Sequence, residues 1–328
     1  MFVSYRDSSV RLTGRWDTSN ENCAVTTATG SYIEFAFEGK MALACFDIED
    51  NAYPRLHLWV QLDGGDMIEA PIDVCIRIFA KNEGSHICRI IYKGGVEVHR
   101  RWSAPLRGKV SFRGVDTEKP TVIAVDSRRT IEFVGDSITE GVLIDVGYTC
   151  GAIPSVEPEA LERVYQDDVC ATYAWLTAEA LDLRPIFMGY GAVGVTRGGN
   201  GNVPAAPIAY PYNFEGSPIT HKTDIVMINH GANDSNKTPE EYTARYGELI
   251  DAVRANNPAA TVVVVSAFCG AFHEELGEFV SRYNAEHGCD VRYIDTFGWI
   301  PKHPLHPLRD GHMTVAQNLI PLLRDIIK

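Results

Sequence analysis

Ser137 lies within Gly135-Asp136-Ser137-Ile138-Thr139-Glu140-Gly141, directly after the apolar run Thr130-Ile131-Glu132-Phe133-Val134. A serine at the carboxyl end of a strand in a parallel α/β sheet points into the crevice where such sheets bind ligands, which is where a nucleophile belongs. The competing reading is a helix cap, because Asp136 and Ser137 are both residue types that accept hydrogen bonds from free helix amides. Two downstream segments favour the nucleophile. Gly231-Ala232-Asn233-Asp234 follows the apolar strand pattern Asp224-Ile225-Val226-Met227-Ile228-Asn229, and Asn233 can offer an amide donor to a developing oxyanion. His306-Pro307 stands shortly before the apolar helix pattern of residues 313–327, and His306 can take the serine proton. Each segment alone fits a turn or a cap; three in this order, at strand ends and helix starts, fit a reaction site better.

In these blocks the chain resembles the SGNH, or GDSL-type, hydrolases, named for Ser, Gly, Asn and His, over roughly residues 128–328. The resemblance implies Ser137 as nucleophile and His306 as base. It also implies an oxyanion hole made of the Ser137 N–H, a block-two glycine N–H and the Asn233 side chain. Gly189-Tyr190-Gly191-Ala192-Val193-Gly194-Val195-Thr196 offers several glycines; Gly194 is favoured because Gly-x-Thr is a common form of that block, with Gly191 in reserve. One departure matters. The family writes its last block Asp-x-x-His, and the position of that aspartate is His303. A carboxylate there would hold the imidazole in the useful tautomer and stabilise the imidazolium. Three readings follow: a Ser-His dyad oriented by a backbone carbonyl, ranked first; a carboxylate from elsewhere, such as Asp295 or Asp310; or a slow or inactive site. Whether His303 itself orients His306 stays open. Dyads of the first kind occur in carbohydrate esterase family two, which the chain also resembles in domain layout.

The chemistry implied is acyl transfer. His306 removes the Ser137 proton as the hydroxyl attacks an ester carbonyl, and water later releases the acyl group. Asp136 and Asp234 read as structural, bonding nearby loop amides.

The elements that must position these groups change character along the chain. From Gly14 to about Val115 short alternating runs are broken by glycines and polar turns; Arg55-Leu56-His57-Leu58-Trp59-Val60-Gln61-Leu62 running into Asp63-Gly64-Gly65 is a hairpin signal. That spacing predicts an all-β, jelly-roll-like sandwich over residues 1–125. Over residues 126–328 strand and helix patterns alternate: a helix over 167–183, and a helix from Thr238-Pro239-Glu240-Glu241, with its capping box, to about Ala255. A strand at Thr261-Val262-Val263-Val264-Val265-Ser266 and a helix over 274–287 follow. This half reads as α/β, a flavodoxin-type three-layer sandwich around a parallel sheet, as the resemblance also implies.

With 45% hydrophobic residues, the 328-residue chain has enough apolar content for two cores. A net charge of -13 gives no basic footprint for nucleic acid or an anionic membrane, and favours a neutral or cationic small substrate over a polyanion. Met1-Phe2-Val3-Ser4-Tyr5-Arg6-Asp7 lacks a secretory pattern and no apolar run reaches membrane-spanning length, so a soluble, cytoplasmic protein is expected. The eight cysteines (Cys23, Cys45, Cys75, Cys88, Cys150, Cys170, Cys269 and Cys289) form no Cys-x-x-Cys pair and read mainly as small free hydrophobes, disulfides being the minority reading. His221, His230, His273, His287 and His312 show no metal-ligand spacing, and residues 191–199 lack the Lys-Ser/Thr ending of a phosphate loop. No metal or cofactor is expected, and a homo-oligomer is compatible with the composition.

A β-sandwich ahead of a GDSL-type domain is the layout of carbohydrate esterase family two, whose members deacetylate plant polysaccharides. The resemblance implies that the sandwich shapes the substrate cleft. Residues 198–220, rich in Gly, Pro and Asn, form the expected specificity loop, where Tyr210, Tyr212 and Phe214 either stack on sugar rings or pin the loop to the body; Trp299 is read in the same two ways. The leading expectation is a serine carboxylic ester hydrolase that removes O-acetyl groups from acetylated oligosaccharides. The alternatives are a lipid or thioester esterase of the same superfamily, and a carbohydrate-binding protein with an inactive hydrolase domain.

Overall fold

The structure, a computed structural model, describes residues 1–146 and 158–328, the side chains of 158–161 excepted; Cys150 lies outside the described residues. The first half is antiparallel: β1 (Phe2–Ser4), β2 (Val10–Thr13), β3 (Ala24–Thr26), β4 (Tyr32–Asp47), β5 (His57–Leu62), β6 (Met67–Pro71), β7 (Cys75–Phe79), β8 (Ser85–Gly94) and β9 (Val110–Thr121). Their order is β1-β9-β4-β8-β5-β6, with β2 and β7 also on β4 and β3 also on β9. The long strand β4 folds the layers over. Its first part pairs with β8 and its later part with β7, while β9 runs along both. Between Glu38 and Ala42 the register with β9 shifts, and Gly39 takes φ +114°, a conformation that residues with a Cβ avoid. Inward-facing Phe35, Phe37, Leu58, Ile90 and Phe112 form the sandwich's own core.

The second half holds β10 (Thr130–Gly135), α1 (Ser137–Glu140), α2 (Pro158–Gln166), α3 (Tyr173–Ala180), β11 (Arg184–Gly189), α4 (Ala206–Ala209), β12 (Tyr212–Phe214), β13 (Ser217–Pro218), β14 (Ile225–Asn229), α5 (Pro239–Asn256), β15 (Thr261–Val265), α6 (His273–His287), β16 (Arg292–Ile294) and α7 (Arg309–Ile326). A five-stranded sheet, wholly parallel, runs β11-β10-β14-β15-β16. Relabelled by sequence this is 2-1-3-4-5, the flavodoxin-like order, whose ligand crevice opens where the order reverses, between β10 and β14. Ile131, Phe133, Met227 and Val263 pack on α3 and α7, while Val134, Val226, Ile228 and Val264 pack on α5 and α6. Burial on both faces is why these strands read as largely apolar runs, Glu132 in β10 excepted.

The α5 capping box is present: Thr238 Oγ1 accepts from Glu241 N at 3.2 Å, and Pro239 takes the first helical turn. The single helix expected over 167–183 is instead a 3-10 turn, Val169–Ala171, followed by α3. The side chains of Asp168 and Thr172 accept from Cys170 N and Trp175 N, offering these amides local partners that break a continuous helix.

Sandwich and α/β layers are fastened by buried polar contacts. Arg15 Nε donates to Glu132 Oε1 at 2.9 Å, Arg101 pairs with Glu140, Trp59 Nε1 donates to Asp168 Oδ1 at 2.9 Å, and Lys93 Nζ donates to Val164 O at 3.0 Å. Charges this deeply buried are tolerable only when paired, so these contacts fix how the two halves meet. Among the described residues no helix is long and apolar enough to cross a membrane.

Candidate active site

Gly135 ends β10, and Ser137 begins α1. A Cβ at Gly135 would stand 2.1 Å from Thr139 Oγ1 and 2.9 Å from Asn229 O, so only glycine permits this tight strand-to-helix turn. Asp136 caps the turn, its Oδ1 accepting from Ile138 N at 2.9 Å. Both readings of the Asp-Ser pair therefore hold together: the aspartate caps, and the serine reaches a base. His306 Nε2 lies 2.8 Å from Ser137 Oγ. Burial lowers the His306 pKa from its ordinary value; Glu97 acts against that shift and Arg163 with it. At neutral pH the imidazole is therefore largely uncharged, with a nitrogen free to accept the serine proton.

The three groups named as orienting candidates are not brought to His306. Asp295 accepts from Ser266 Oγ at 3.2 Å and from Phe297 N at 2.9 Å and faces His273 at 3.3 Å, so it is consumed in the turn after β16. Asp310 accepts from Gly311 N at the exposed start of α7. His303 is exposed, and among the described residues Ser137 is the hydrogen-bond partner of His306.

Asn233 sits in the turn after β14, beside the nucleophile. Its Nδ2 donates to Asp136 Oδ2 at 3.2 Å and to Val193 O at 3.1 Å, which engages both amide hydrogens. Asp136 is fully buried; burial foremost, with the charge of Asp234 adding to it, raises its pKa to about 7. Asp234 accepts from Val195 N, Thr196 N and Thr196 Oγ1 at 3.2, 2.9 and 2.6 Å, the loop-holding part expected of it. Gly194 requires a correction. Its N–H closes a turn by donating to Arg197 O at 3.0 Å, and its missing side chain serves instead to admit Asp234, whose Oδ1 would lie 2.4 Å from a Cβ there. The reserve Gly191 is also engaged, donating to Glu140 Oε2 at 2.6 Å. The Ser137 N–H, in the first turn of α1, has no acceptor among the described residues.

Tyr210 is a further correction: it is fully buried, donating to Glu132 Oε2 at 2.8 Å and accepting from Asn257 Nδ2 at 2.7 Å beneath the Arg15 guanidinium. It fastens the domains and does not face a substrate. Tyr212 is exposed and meets Trp102 edge to face at 6.2 Å, Phe214 is half-buried in β12, and Trp299 packs against the core under α7.

Sequence reasoning missed what the sandwich contributes. Glu97, on the β8–β9 connection, reaches the block-two loop so closely that its Oε2 would lie 1.9 Å from a Cβ on Gly191, and it pairs with Arg163 at 2.8 Å. Arg101, four residues on, pairs with Glu140, three residues beyond the nucleophile. No local pattern marks these residues; a carboxylate and a guanidinium on a connection between strands carry no spacing signal. Among the described residues no group of three or more His, Cys, Asp or Glu side chains is placed to hold a metal.

Comparison with known proteins gives the family and the fold. Residues 133–316 match the GDSL-like Lipase/Acylhydrolase family. An acetylxylan esterase / glucomannan deacetylase of Cellvibrio japonicus is 26% identical over 274 residues, covering 75% of this chain and 68% of that protein. Among solved structures, a family two carbohydrate esterase from Cellvibrio japonicus superimposes with a TM-score of 0.81 at 19% identity, covering 100% of this chain and 98% of that one. One from Clostridium thermocellum in complex with cellohexaose gives 0.74 at 21%, covering 96% and 98%. Both share the fold of this chain, antiparallel domain included.

Proposed function

Since the chain belongs to the GDSL-like lipase/acylhydrolase family, a family of ester hydrolases, we propose that it is a serine esterase that removes O-acetyl groups from carbohydrates through an acyl-enzyme. The observation that carries this reading is the 2.8 Å contact between Ser137 Oγ and a His306 imidazole that burial keeps neutral. In the first step Oγ attacks the acetyl carbonyl carbon while Nε2 takes the hydroxyl proton. The Ser137 N–H, without an acceptor among the described residues, receives the oxyanion, and Asn233 joins it by exchanging the Val193 carbonyl or the Asp136 carboxylate for the substrate oxygen. The imidazolium then protonates the departing sugar oxygen. Water repeats the sequence on the acetyl-enzyme and releases acetate.

No carboxylate is bonded to His306 among the described residues; the Glu97 charge acts on the imidazolium at longer range from the sandwich and offsets part of the cost that burial and the Arg163 charge impose on it. A carbohydrate substrate is supported by what the similar proteins are named for, acetylxylan, glucomannan and cellohexaose, together with the shared domain layout.

Acetate release from acetylated xylo-oligosaccharide, by wild type and Ser137→Ala side by side, tests the reading. Activity should vanish in the variant, and short acyl chains should be preferred over long ones. A folded wild type without turnover would discard the hydrolase reading, and preference for long acyl chains would move the substrate to lipids or thioesters.

A further inference from the structure

Away from Ser137, one pair of side chains stands ready for a covalent step. Cys45 on β4 and Cys75 on β7 are direct cross-strand partners, with Sγ atoms 3.7 Å apart. Phe46 N donates to Val74 O at 2.9 Å, which puts the cysteine pair at the adjacent non-hydrogen-bonded position of the ladder. Cα atoms at such positions approach to about 4.5 Å, within the span a disulfide bridges. Rotation about the side-chain bonds can therefore join the sulfurs while the strands keep their register. Cys75 is exposed and Cys45 half-buried, whereas Cys23, Cys88 and Cys170 are buried and no other sulfur pair is in contact among the described residues.

We propose that Cys45 and Cys75 are a thiol–disulfide exchange site, converted by a small oxidised disulfide such as glutathione disulfide into a cross-strand link that clamps β7 to β4. The Cys75 thiolate attacks one sulfur of the reagent; that S–S bond breaks, a mixed disulfide forms and one glutathione thiolate leaves. Cys45 then loses its proton to solvent and attacks Cys75 Sγ, forming the Cys45–Cys75 bond and expelling the second glutathione thiolate. The cysteines give up two electrons and two protons, and the reagent ends as two thiols. Exposure sets the order of events, since Cys75 meets the reagent first. The Cys45 thiol is pushed up to about 11 by burial and by the adjoining Cys75 sulfur, so it reacts second, on a sulfur already beside it.

The link closes a 30-residue separation and secures a strand whose ladder partner among the described residues is β4 alone. The surrounding structure accommodates the reduced pair side by side, so both states are compatible with the same fold.

The test is incubation of the native chain with glutathione disulfide, followed by intact mass, peptide mapping and thermal melting. The expected product has lost two hydrogens, retains no glutathione, carries the link between residues 45 and 75, melts higher than the reduced protein and reverts with excess reductant. Cys45→Ser should instead hold glutathione on Cys75, and Cys75→Ser should leave Cys45 unmodified. Native protein that keeps glutathione on Cys75 without closing the link, that links a different pair, Cys150 included, or that stays fully reduced would overturn the proposal. These readouts do not depend on esterase activity.

Discussion

Ser137 and His306 meet at one hydrogen bond but are put there by different kinds of contact. Around Ser137 the structure is local: Gly135 allows the turn, Asp136 caps it, and Gly141 N donates back to Ser137 O, so residues within a few positions decide where Oγ points. His306 lies in the connection before α7, where the charges acting on it belong to Glu97 in the sandwich and Arg163 in α2. The nucleophile is thus a product of backbone geometry, and the base a product of how two domains close on each other. The comparison implies that substitutions near Ser137 change whether reaction occurs at all, while substitutions around His306 change mainly the pH at which it occurs.

The largest effect expected is from His306→Ala, which should lower kcat for an acetyl ester by about 10⁴-fold or more, measured at constant fold by circular dichroism. Asn233→Ala comes next, with a loss of about 10² to 10³ in kcat. A fall below roughly threefold would mean that the amide stays with Asp136 and Val193 and never serves the oxyanion.

The pH profile then sharpens the contrast. The base works unprotonated, and burial lowers the His306 pKa, so kcat/KM should rise through an inflection below the ordinary histidine value and stay high above it. Glu97 opposes that lowering, so Glu97→Gln should move the inflection to lower pH, and Arg163→Gln should move it to higher pH, each by less than about one pH unit. Shifts of the same sign in both variants would remove the cross-domain charges from the account. The smallest effect belongs to His303→Ala: an exposed residue with no bond to His306 should change kcat/KM by no more than about twofold. A loss equal to that of His306→Ala would make His303 the orienting group after all.

Much of this arrangement was legible in the chain. The apolar run into Gly-Asp-Ser, the turn at Asn233 and the His306 block stand at strand ends and helix starts, and period and capping rules place them there. The capping box at Thr238 and the limits of α5 and α6 follow from the same local rules. Local signals misled where side chains compete for backbone amides, as at Asp168 and Thr172, and where a glycine serves packing, as at Gly194. Tyr210 shows a further limit: an aromatic residue in a Gly- and Pro-rich loop gives no sign of whether it faces sugar or, as here, a buried carboxylate.

The sequence by itself determined the two kinds of sheet, the strand-end serine and its cap, and helices α5 and α6, because hydrophobic period, glycine conformation and capping act over a few residues. Only the tertiary structure decided that Glu97 stands against Gly191 beside Arg163, that Asp295 and Asp310 are turned away from the base, that Arg15 and Arg101 bury their charges on Glu132 and Glu140, and that Cys45 faces Cys75. Those are contacts between residues far apart in the chain. Their energies depend on burial and distance, and neither quantity exists until the sheets have packed.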